Sequence, residues 1–533
     1  MGTSSTLLFI KPAPSSPSDM NTPTTDVIIG VDVGTTAVKV AAFAVNGAAA
    51  ELPRALREYP LEQPQPGWQV QEPTMVLSAI DSAIADCVAQ LRDAQVLAVS
   101  LSTAMHGLIG LDAQYRPLTP LVTWADSRGH LEARELRKQG LARVLLHRTG
   151  TPAHPMSPLV KLIWFSRHEQ RLTSQARWWA GLKDYVLHHL TGELVTELSS
   201  ASATGLLDLK SREWDAQSLD LAGIEADQLP PVLPTTTVLK LSEEAGQRIG
   251  LPGSLPVAVG AADGPLGNLG TGAIVPGVAG LSLGTSGAVR MAVPEPSFDA
   301  EGRLFCYALT DDLWVIGGAI SNGGITLRWA GETFAPDLVA EGHADVAVLE
   351  LAAQAPPGSD GLLMLPYVLS ERAPLWDPDL SGAFLGIRAH HTRSHFIRAA
   401  LEGVCLQLST IVDSLDTVDH VESIRATGGP FRSELWRRVM AATLARPMSV
   451  QAEAGGTALG AAALGWYALG GAPTLSEALA AVGGSDQDPS AATVTVTQSD
   501  VAAYAQLRAS VQSLIHSYEE VAAMFASSFG STR

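Results

Sequence analysis

Two seven-residue segments carry the residue types that phosphoryl chemistry needs. Gly30-Val31-Asp32-Val33-Gly34-Thr35-Thr36 follows the apolar run Val27-Ile28-Ile29, which predicts a buried strand ending in a turn. Gly34 lets the backbone come close to a ligand, and successive N–H groups in such a turn make an anion-binding hollow. The threonine hydroxyls can donate to phosphate oxygens, and Asp32 can hold Mg²⁺ directly or through its waters. Read alone, these residues are equally a strand, a turn and a surface carboxylate. Gly280-Leu281-Ser282-Leu283-Gly284-Thr285-Ser286, however, repeats the pattern position for position, 250 residues further on. That separation is of domain scale. Two phosphate turns, each opening its own half, predict two related domains that grip one nucleotide. Only the first copy keeps a carboxylate, so the metal is expected on the first domain, with hydroxyl and N–H groups supplied by the second.

Other segments could meet a substrate. The strand expected over 96–101 runs into Ser102-Thr103-Ala104-Met105-His106-Gly107, and the carboxyl ends of strands are where open α/β sheets bind ligands. Trp124, Asp126 and Arg128 together offer a flat apolar face, a hydroxyl acceptor and a cation. Taken on their own they also fit an exposed Asp–Arg pair beside a packed Trp. A proline-rich loop over 149–158 carries His154, and rigid loops position ligands as well as merely connecting elements. The apolar run 257–262 ends at Asp263 and is cut off by Gly264-Pro265. A carboxylate at the end of a buried strand is costly unless solvated or working, which makes Asp263 the candidate general base. Later, Ile424-Arg425-Ala426-Thr427 enters Gly428-Gly429, and a helix follows with Ser433 near its N-cap, a platform for a base or ribose. Ala454-Gly455-Gly456-Thr457 precedes an alanine-rich helix that could close the same pocket. His391 and His395 have i, i+4 spacing but no third ligand nearby, and read as the polar side of a helix start.

The elements that position these residues follow from pattern. Strands are expected over 27–33 and 39–45, the second ending at the hairpin signal Asn46-Gly47. Pro73 opens a helix with apolar residues at Val76, Ile80, Ala83, Cys87 and Leu91, a core-packing stripe. A helix is read from Leu159 through Trp164, a strand over 362–365, and a long helix from Thr392 with Ile397, Leu401, Val404, Leu408 and Ile411 on one side. The stretch after Val494 reads as helical.

A chain of 533 residues has room for two to four domains with full cores. A net charge of −19 argues against nucleic acid as a partner, and requires that any anionic substrate be met by locally placed cations. Cys87, Cys306 and Cys405 are far apart and lack metal spacing, which fits a reducing cytoplasm. Residues 1–25, rich in Ser, Thr and Pro, read as a disordered arm; the apolar piece 7–10 is too short for a signal-peptide core, and Met20 is an alternative start. No run approaches the length of a transmembrane helix, so no membrane partner is expected.

Taken together, Ala104-Met105-His106, Thr123-Trp124-Ala125-Asp126, Thr149-Gly150-Thr151-Pro152 with His154-Pro155-Met156, and Ala201-Ser202-Ala203-Thr204-Gly205 resemble the FGGY family of carbohydrate kinases. Asn322-Gly323-Gly324, Glu371-Arg372-Ala373-Pro374-Leu375-Trp376 and Arg398-Ala399-Ala400-Leu401-Glu402-Gly403 extend the resemblance over about residues 27–520. Within the family it is to the gluconate kinases. It implies an α/β, two-domain, actin-like ATPase fold with a ribonuclease-H-like core in each domain and the active site in the cleft. The expected division is 26–272 and 273–520, after the arm of 1–25 and before a tail of 521–533.

The resemblance further implies ATP and Mg²⁺ as cofactors and D-gluconate as substrate, phosphorylated to 6-phospho-D-gluconate. It assigns Asp32 to the metal–phosphate site and Asp263 to deprotonating the sugar hydroxyl, with Asp263 also counted toward the metal. Met105, His106, Gly107, Trp124, Asp126, Arg128 and His154 are expected against the sugar. The nucleotide set is Gly34, Thr35, Thr36, Lys39, Gly284, Thr285, Ser286, Gly324, Gly428, Gly429 and Ser433. For the substrate's carboxylate, Arg128 is the first candidate cation, ahead of His106, His154 and Lys161. Ser370 stands where the family pattern has Gly, from which a local backbone change is expected. A kinase for another sugar such as xylulose or ribulose, and an actin- or chaperone-like nucleotide-switch ATPase, remain the alternatives. Oligomeric state stays open, with a homodimer allowed for.

Overall fold

The computed structural model describes residues 25–46, 52–339, 344–451, 456–485 and 492–529. The expected arm therefore lies outside the described residues except for Thr25, as do the apolar piece 7–10, Met20, Gly47, Ala454 and Gly455. Two mixed sheets share one pairing plan. In the first, Thr25–Val33 (β1) pairs antiparallel with Ala37–Ala44 (β2), and β2 antiparallel with Arg54–Glu58 (β3). On its other side β1 runs parallel to Ala94–Thr103 (β4). Val238–Lys240 (β5) is the antiparallel edge beside Pro256–Ala262 (β6), which runs parallel to β4.

In the second sheet, Val278–Leu283 (β7) pairs antiparallel with Gly287–Val293 (β8). Phe305–Ala308 (β9) and Trp314–Ile320 (β10) continue the antiparallel run, with β10 directly beside β8. The other side of β7 takes Ser423–Thr427 (β11) and then Met448–Val450 (β12), both parallel, and Ala492–Thr493 (β13) antiparallel. Thus β1 and β7, the strands of the two repeated motifs, occupy equivalent places. The architecture is the expected two-domain, actin-like α/β fold.

Helix starts follow local chemistry. Pro73–Gln90 (α1) opens on proline, after Glu72 accepts from Thr74 N. Pro158–His168 (α2) is capped by Ser157. Leu182–Thr191 (α3) and Asp263–Gly270 (α4) follow, the latter beginning where β6 ends. In the second half, Gly324–Phe334 (α5) and the long Arg393–Leu415 (α6) cover the sheet, with Thr392 and His395 forming a capping box at the start of α6. His395 also reaches the Asp360 carboxylate at 3.2 Å, which fits the polar reading of the His391/His395 pair. Ser433 caps Glu434–Leu444 (α7).

Gly456–Ala468 (α8) departs from the expected linear division. Its residues Ala458, Leu459, Ala461, Ala462 and Leu464 are buried together with Ile28, Ala41, Phe43 and Ala98 of the first sheet. Small alanines bring the helix close to that sheet, and burying each leucine is worth about 1.5–3 kcal/mol. Residues 456–484, although late in the chain, therefore complete the first domain's covering layer, and Asn46 N–H donates to Ala481 O there. The last helix, Gln498–Phe529 (α9), runs through the position where a separate tail was expected to begin. No helix among the described residues is long and apolar enough to cross a membrane.

Candidate active site

The cleft between the sheets holds a cavity of about 470 Å³, lined from the first half by Thr35, Met105, His106, Trp124 and Asp263. From the second half come Ser282, Gly284, Ser286, Arg290, Tyr307, Arg372, Gly428 and Gly429, among others. Residues almost 400 positions apart in the chain thus share one surface, because β1, β4 and β6 all run parallel and end there.

Asp32 is the penultimate residue of β1 and pairs in register with Ser102, whose hydroxyl donates to Oδ1 at 3.0 Å. Burial first, then the nearby Asp263 charge, push its carboxyl up to about 6. Asp263 begins α4 one residue beyond β6; its Oδ1 accepts from Gly264 N at 2.8 Å. Burial raises its carboxyl too, against the opposing field of Arg290. Two mutually repelling carboxylates in a half-dry cleft suit a hard divalent cation. Among the described residues no cluster of three or more His, Cys, Asp or Glu could hold one by itself. The donor set thus fits Mg²⁺, which binds through one or two carboxylates and takes its other ligands from water and phosphate.

Beneath these carboxylates lies a residue with no signal in the sequence. Lys183, fully buried on α3, donates Nζ to Leu101 O at 2.9 Å, Val259 O at 2.8 Å and Ala261 O at 3.0 Å. It ties the ends of β4 and β6 together, just before the residues that reach the cleft. Burial draws its ammonium down to about 8, while Glu197, Asp184, Asp263 and Asp32 favour the charged form.

The two phosphate turns close in the same way. Gly34 N–H donates to Ala37 O at 2.9 Å and Gly284 N–H to Ser286 O at 2.8 Å, leaving Thr36 and Thr285 exposed. Trp124 Nε1 donates to Thr35 Oγ1 at 2.8 Å, which links the first turn to the segment around Trp124. Lys39, opposite Asp32 in the β1–β2 register, is exposed and does not line the cavity. Gly428 has φ +122°, and a Cβ there would stand 1.9 Å from Leu283 O. Only glycine lets the chain pass at that point. Gly324 instead spends its N–H on Gly284 O at 2.8 Å, and Ser433 is occupied in capping α7; neither lines the cavity.

His106 is held with φ +66°, uncommon for a residue with a side chain. Lys161, completely buried, donates Nζ to His106 O at 2.5 Å and to Met156 O at 2.8 Å. His106 Nδ1–H donates to Ala203 O at 2.7 Å, so Nε2 is left as an acceptor for a hydroxyl. Burial, then Lys161, hold the ring neutral, with its pKa down at about 3. Gly107 lines a neighbouring small pocket with Lys183 and Asp184.

Three substrate expectations are corrected. Arg128 donates Nε to Asp126 Oδ1 and Nη2 to Asp126 Oδ2, both at 2.8 Å, and stacks 3.7 Å above the Trp68 ring. Both residues are buried away from the cavity, so the pair is closed on itself and offers no free cation. His154 is also buried, with Nε2–H donating to Glu371 O at 3.0 Å and Nδ1 accepting from Met156 N at 3.2 Å. It connects the two halves of the chain. Ser370 does not adopt a left-handed backbone; its buried Oγ has no hydrogen-bond partner among the described residues.

Arg290 and Arg372 are the cations that do line the cavity. Sequence reasoning passed over Arg290, although a lone charge within Gly287-Ala288-Val289-Arg290-Met291-Ala292-Val293 is an anomaly in an otherwise apolar strand. Arg372 was visible only as part of a motif.

Comparison with known proteins gives one consistent answer. The N-terminal domain of the FGGY family of carbohydrate kinases matches residues 27–270, and its C-terminal domain residues 279–469. A gluconokinase of Bacillus subtilis is 40% identical over 454 residues, 84% of this chain and 88% of that protein. A xylulose kinase of Lactococcus lactis is 30% identical over 73% of this chain and 77% of its own length. The crystal structure of a gluconate kinase from Lactobacillus acidophilus superposes with a TM-score of 0.84 at 32% identity, covering 96% of this chain and all of that one.

Proposed function

We propose, for a chain that belongs to the FGGY family of carbohydrate kinases, that it transfers the terminal phosphoryl group of ATP to D-gluconate, giving ADP and 6-phospho-D-gluconate (EC 2.7.1.12). The observation that carries this reading is the cleft itself. Asp263, at the end of a parallel strand, lines a cavity together with residues of two like-built turns and two guanidinium groups, and the buried Asp32 stands near it at the end of β1. The choice of gluconate is supported by the 40% identity to a gluconokinase, against 30% to a xylulose kinase.

Phosphoryl transfer asks for alignment, charge neutralisation and an acceptor relieved of its proton. Asp263 is the base: its carboxylate accepts the proton of the sugar's terminal hydroxyl as the hydroxyl oxygen attacks in line. The turns at Gly34 and Gly284 hold the phosphates through hydroxyl and N–H groups from opposite halves. Mg²⁺, held by Asp32 with Asp263 facing it, would neutralise phosphate charge. His106 Nε2 and the Trp124 ring orient the sugar, and Gly428-Gly429 receives the adenosine. Closure of the cleft excludes water that would otherwise take the phosphoryl group. Three buried unpaired cysteines support a cytoplasmic location.

Coupled measurement of ADP release with gluconate, xylulose, ribulose, glycerol and no sugar tests the reading. The expected result is the highest kcat/KM with gluconate and little ADP release without sugar. Faster turnover of a neutral ketose would favour the xylulose-kinase reading. Release that ignores sugar altogether would point to a nucleotide-switch ATPase.

A further inference from the structure

Arg290 stands on β8 between two glycines of the neighbouring strands. Its in-register neighbours on either side are Gly280 on β7 and Gly317 on β10, and the next pair along the same surface is Ala288 and Ala319. A Cβ on Gly317 would stand 2.2 Å from Val289 O and 2.9 Å from Arg290 Cα, and 3.1 Å from Arg290 Cγ, so glycine there lets the strands come close and leaves the arginine stem its place. The guanidinium extends towards Gly264, where a Cβ would meet its Nε at 3.3 Å. Its one hydrogen bond among the described residues is a long one, 3.4 Å from Nη1 to Ser282 Oγ.

Arg372 approaches the same cavity from the other side, its guanidinium 4.7 Å from the Trp124 ring centroid. Nε donates to Ser321 Oγ at 3.1 Å and Nη2 to Ile320 O at 2.8 Å, which fixes the plane of the fork. Neither arginine has a carboxylate within 4.0 Å among the described residues. Burial, then the neighbouring Arg290 charge, lower Arg372 to about 10. Asp263 shares this cavity and offsets part of the Arg290 charge, yet two guanidinium groups turned towards one half-dry space, with most of their N–H donors open, favour a further anion. In a chain of net charge −19 this arrangement is a local reversal of the global field.

We propose that Arg290 and Arg372 together bind the carboxylate of the acceptor substrate, and so set the preference for a sugar acid over a neutral sugar. The inference rests on the gluconate reading given above. A planar carboxylate matches the fork of a guanidinium, and a neutral sugar would leave the open N–H donors of both forks without an anionic acceptor. Arg128, whose fork is filled by Asp126, plays no part in this selection.

The test compares D-gluconate with D-glucitol, an alditol of the same length that lacks the carboxylate, in the wild type and in Arg290→Gln, Arg372→Gln, Arg290→Lys and Arg372→Lys. Each Gln variant should lose about 10–100-fold in kcat/KM for gluconate, as expected for a charged hydrogen bond, mainly through KM. The glucitol rate should fall far less, so the ratio between the two substrates collapses. The Lys variants, which keep the charge but lose the fork, should retain part of the preference. Gluconate binding, followed calorimetrically with a non-hydrolysable ATP analogue, should weaken in step with KM. Calorimetry on the Lys variants keeps the test open should a Gln variant fail to fold. Parallel loss of gluconate and glucitol turnover, or a rise in KM for ATP with gluconate unaffected, would assign the arginines to the phosphoryl group and overturn the proposal. If the wild type itself shows no preference for gluconate over neutral sugars, it is the gluconate reading that fails. A wild type that prefers gluconate, with variants that keep the preference, refutes the arginine site alone.

Discussion

Arg128 grips Asp126, two residues before it, through a two-point bond of 2.8 Å on each side, and Trp68 covers the guanidinium at 3.7 Å. Asp126 Oδ2 also accepts from Gln69 N at 2.8 Å, so the pair fastens the loop over 123–129 to a neighbouring segment. Arg128→Gln should therefore act on stability. Removing one partner of a buried ion pair leaves an uncompensated charge and costs about 3–5 kcal/mol. Thermal unfolding should show that loss, while the ratio of gluconate to xylulose turnover in the folded fraction stays near the wild-type value. A changed ratio with unchanged stability would return Arg128 to the substrate site.

Asp263→Asn keeps the shape of the side chain and removes its ability to take a proton. We expect kcat to fall by about 10²–10⁴-fold, the usual worth of a positioned general base. ADP binding, measured without sugar, should change little, because the proposed nucleotide contacts lie on the two turns and at Gly428-Gly429. Near-normal turnover in this variant would transfer the role to another residue.

Asp32 and Ser282 occupy the same position in the two repeats but should not respond alike. Asp32→Ala removes the carboxylate best placed for Mg²⁺ and should depress activity severely across a Mg²⁺ titration. Ser282→Ala loses only a 3.4 Å bond from Arg290 and should be mild. Equal damage from the two changes would mean that the second turn also carries metal.

What could be read from the chain beforehand was local. The turn after β1, the carboxylate after β6 and the cap of α7 depend on residues adjacent in sequence, and the pattern carries them. Arg290 escaped because its meaning lies across the cleft, in residues remote in sequence that share its cavity. Lys183 escaped for the same reason, since its three acceptors belong to two strands remote from α3. Helix α8 reads as amphipathic-neutral and alanine-rich, and nothing in that composition tells which sheet it will cover. Arg128 misled because its partner was taken for a ligand contact; an acidic residue two positions away could as well have signalled a closed pair.

His154 gives the pH dependence. Its ring is neutral and fully used: Nε2–H donates to Glu371 O, and Nδ1 accepts from Met156 N. A second proton on Nδ1 would face that N–H and break the bond. Burial, then Arg372, with Arg137 and His106 adding to it, hold its pKa down at about 3, against the ordinary imidazole value of 6.5. The sign follows from proton counting. Between these values the unfolded chain binds the proton and the folded protein does not, so stability is lost as pH falls below 6.5. Near pH 5 the slope from this one group approaches about 1.4 kcal/mol per pH unit. His106, also lowered to about 3, adds in the same direction, while Asp32 and Asp184, both raised to about 6, oppose it. Comparison with His154→Gln separates the histidine from these neighbours. The variant should be less stable at pH 7.5, yet lose less additional stability between pH 6.5 and 5 than the wild type. Urea unfolding at each pH reads both quantities, and identical slopes in the two proteins would show that His154 carries none of the acid sensitivity.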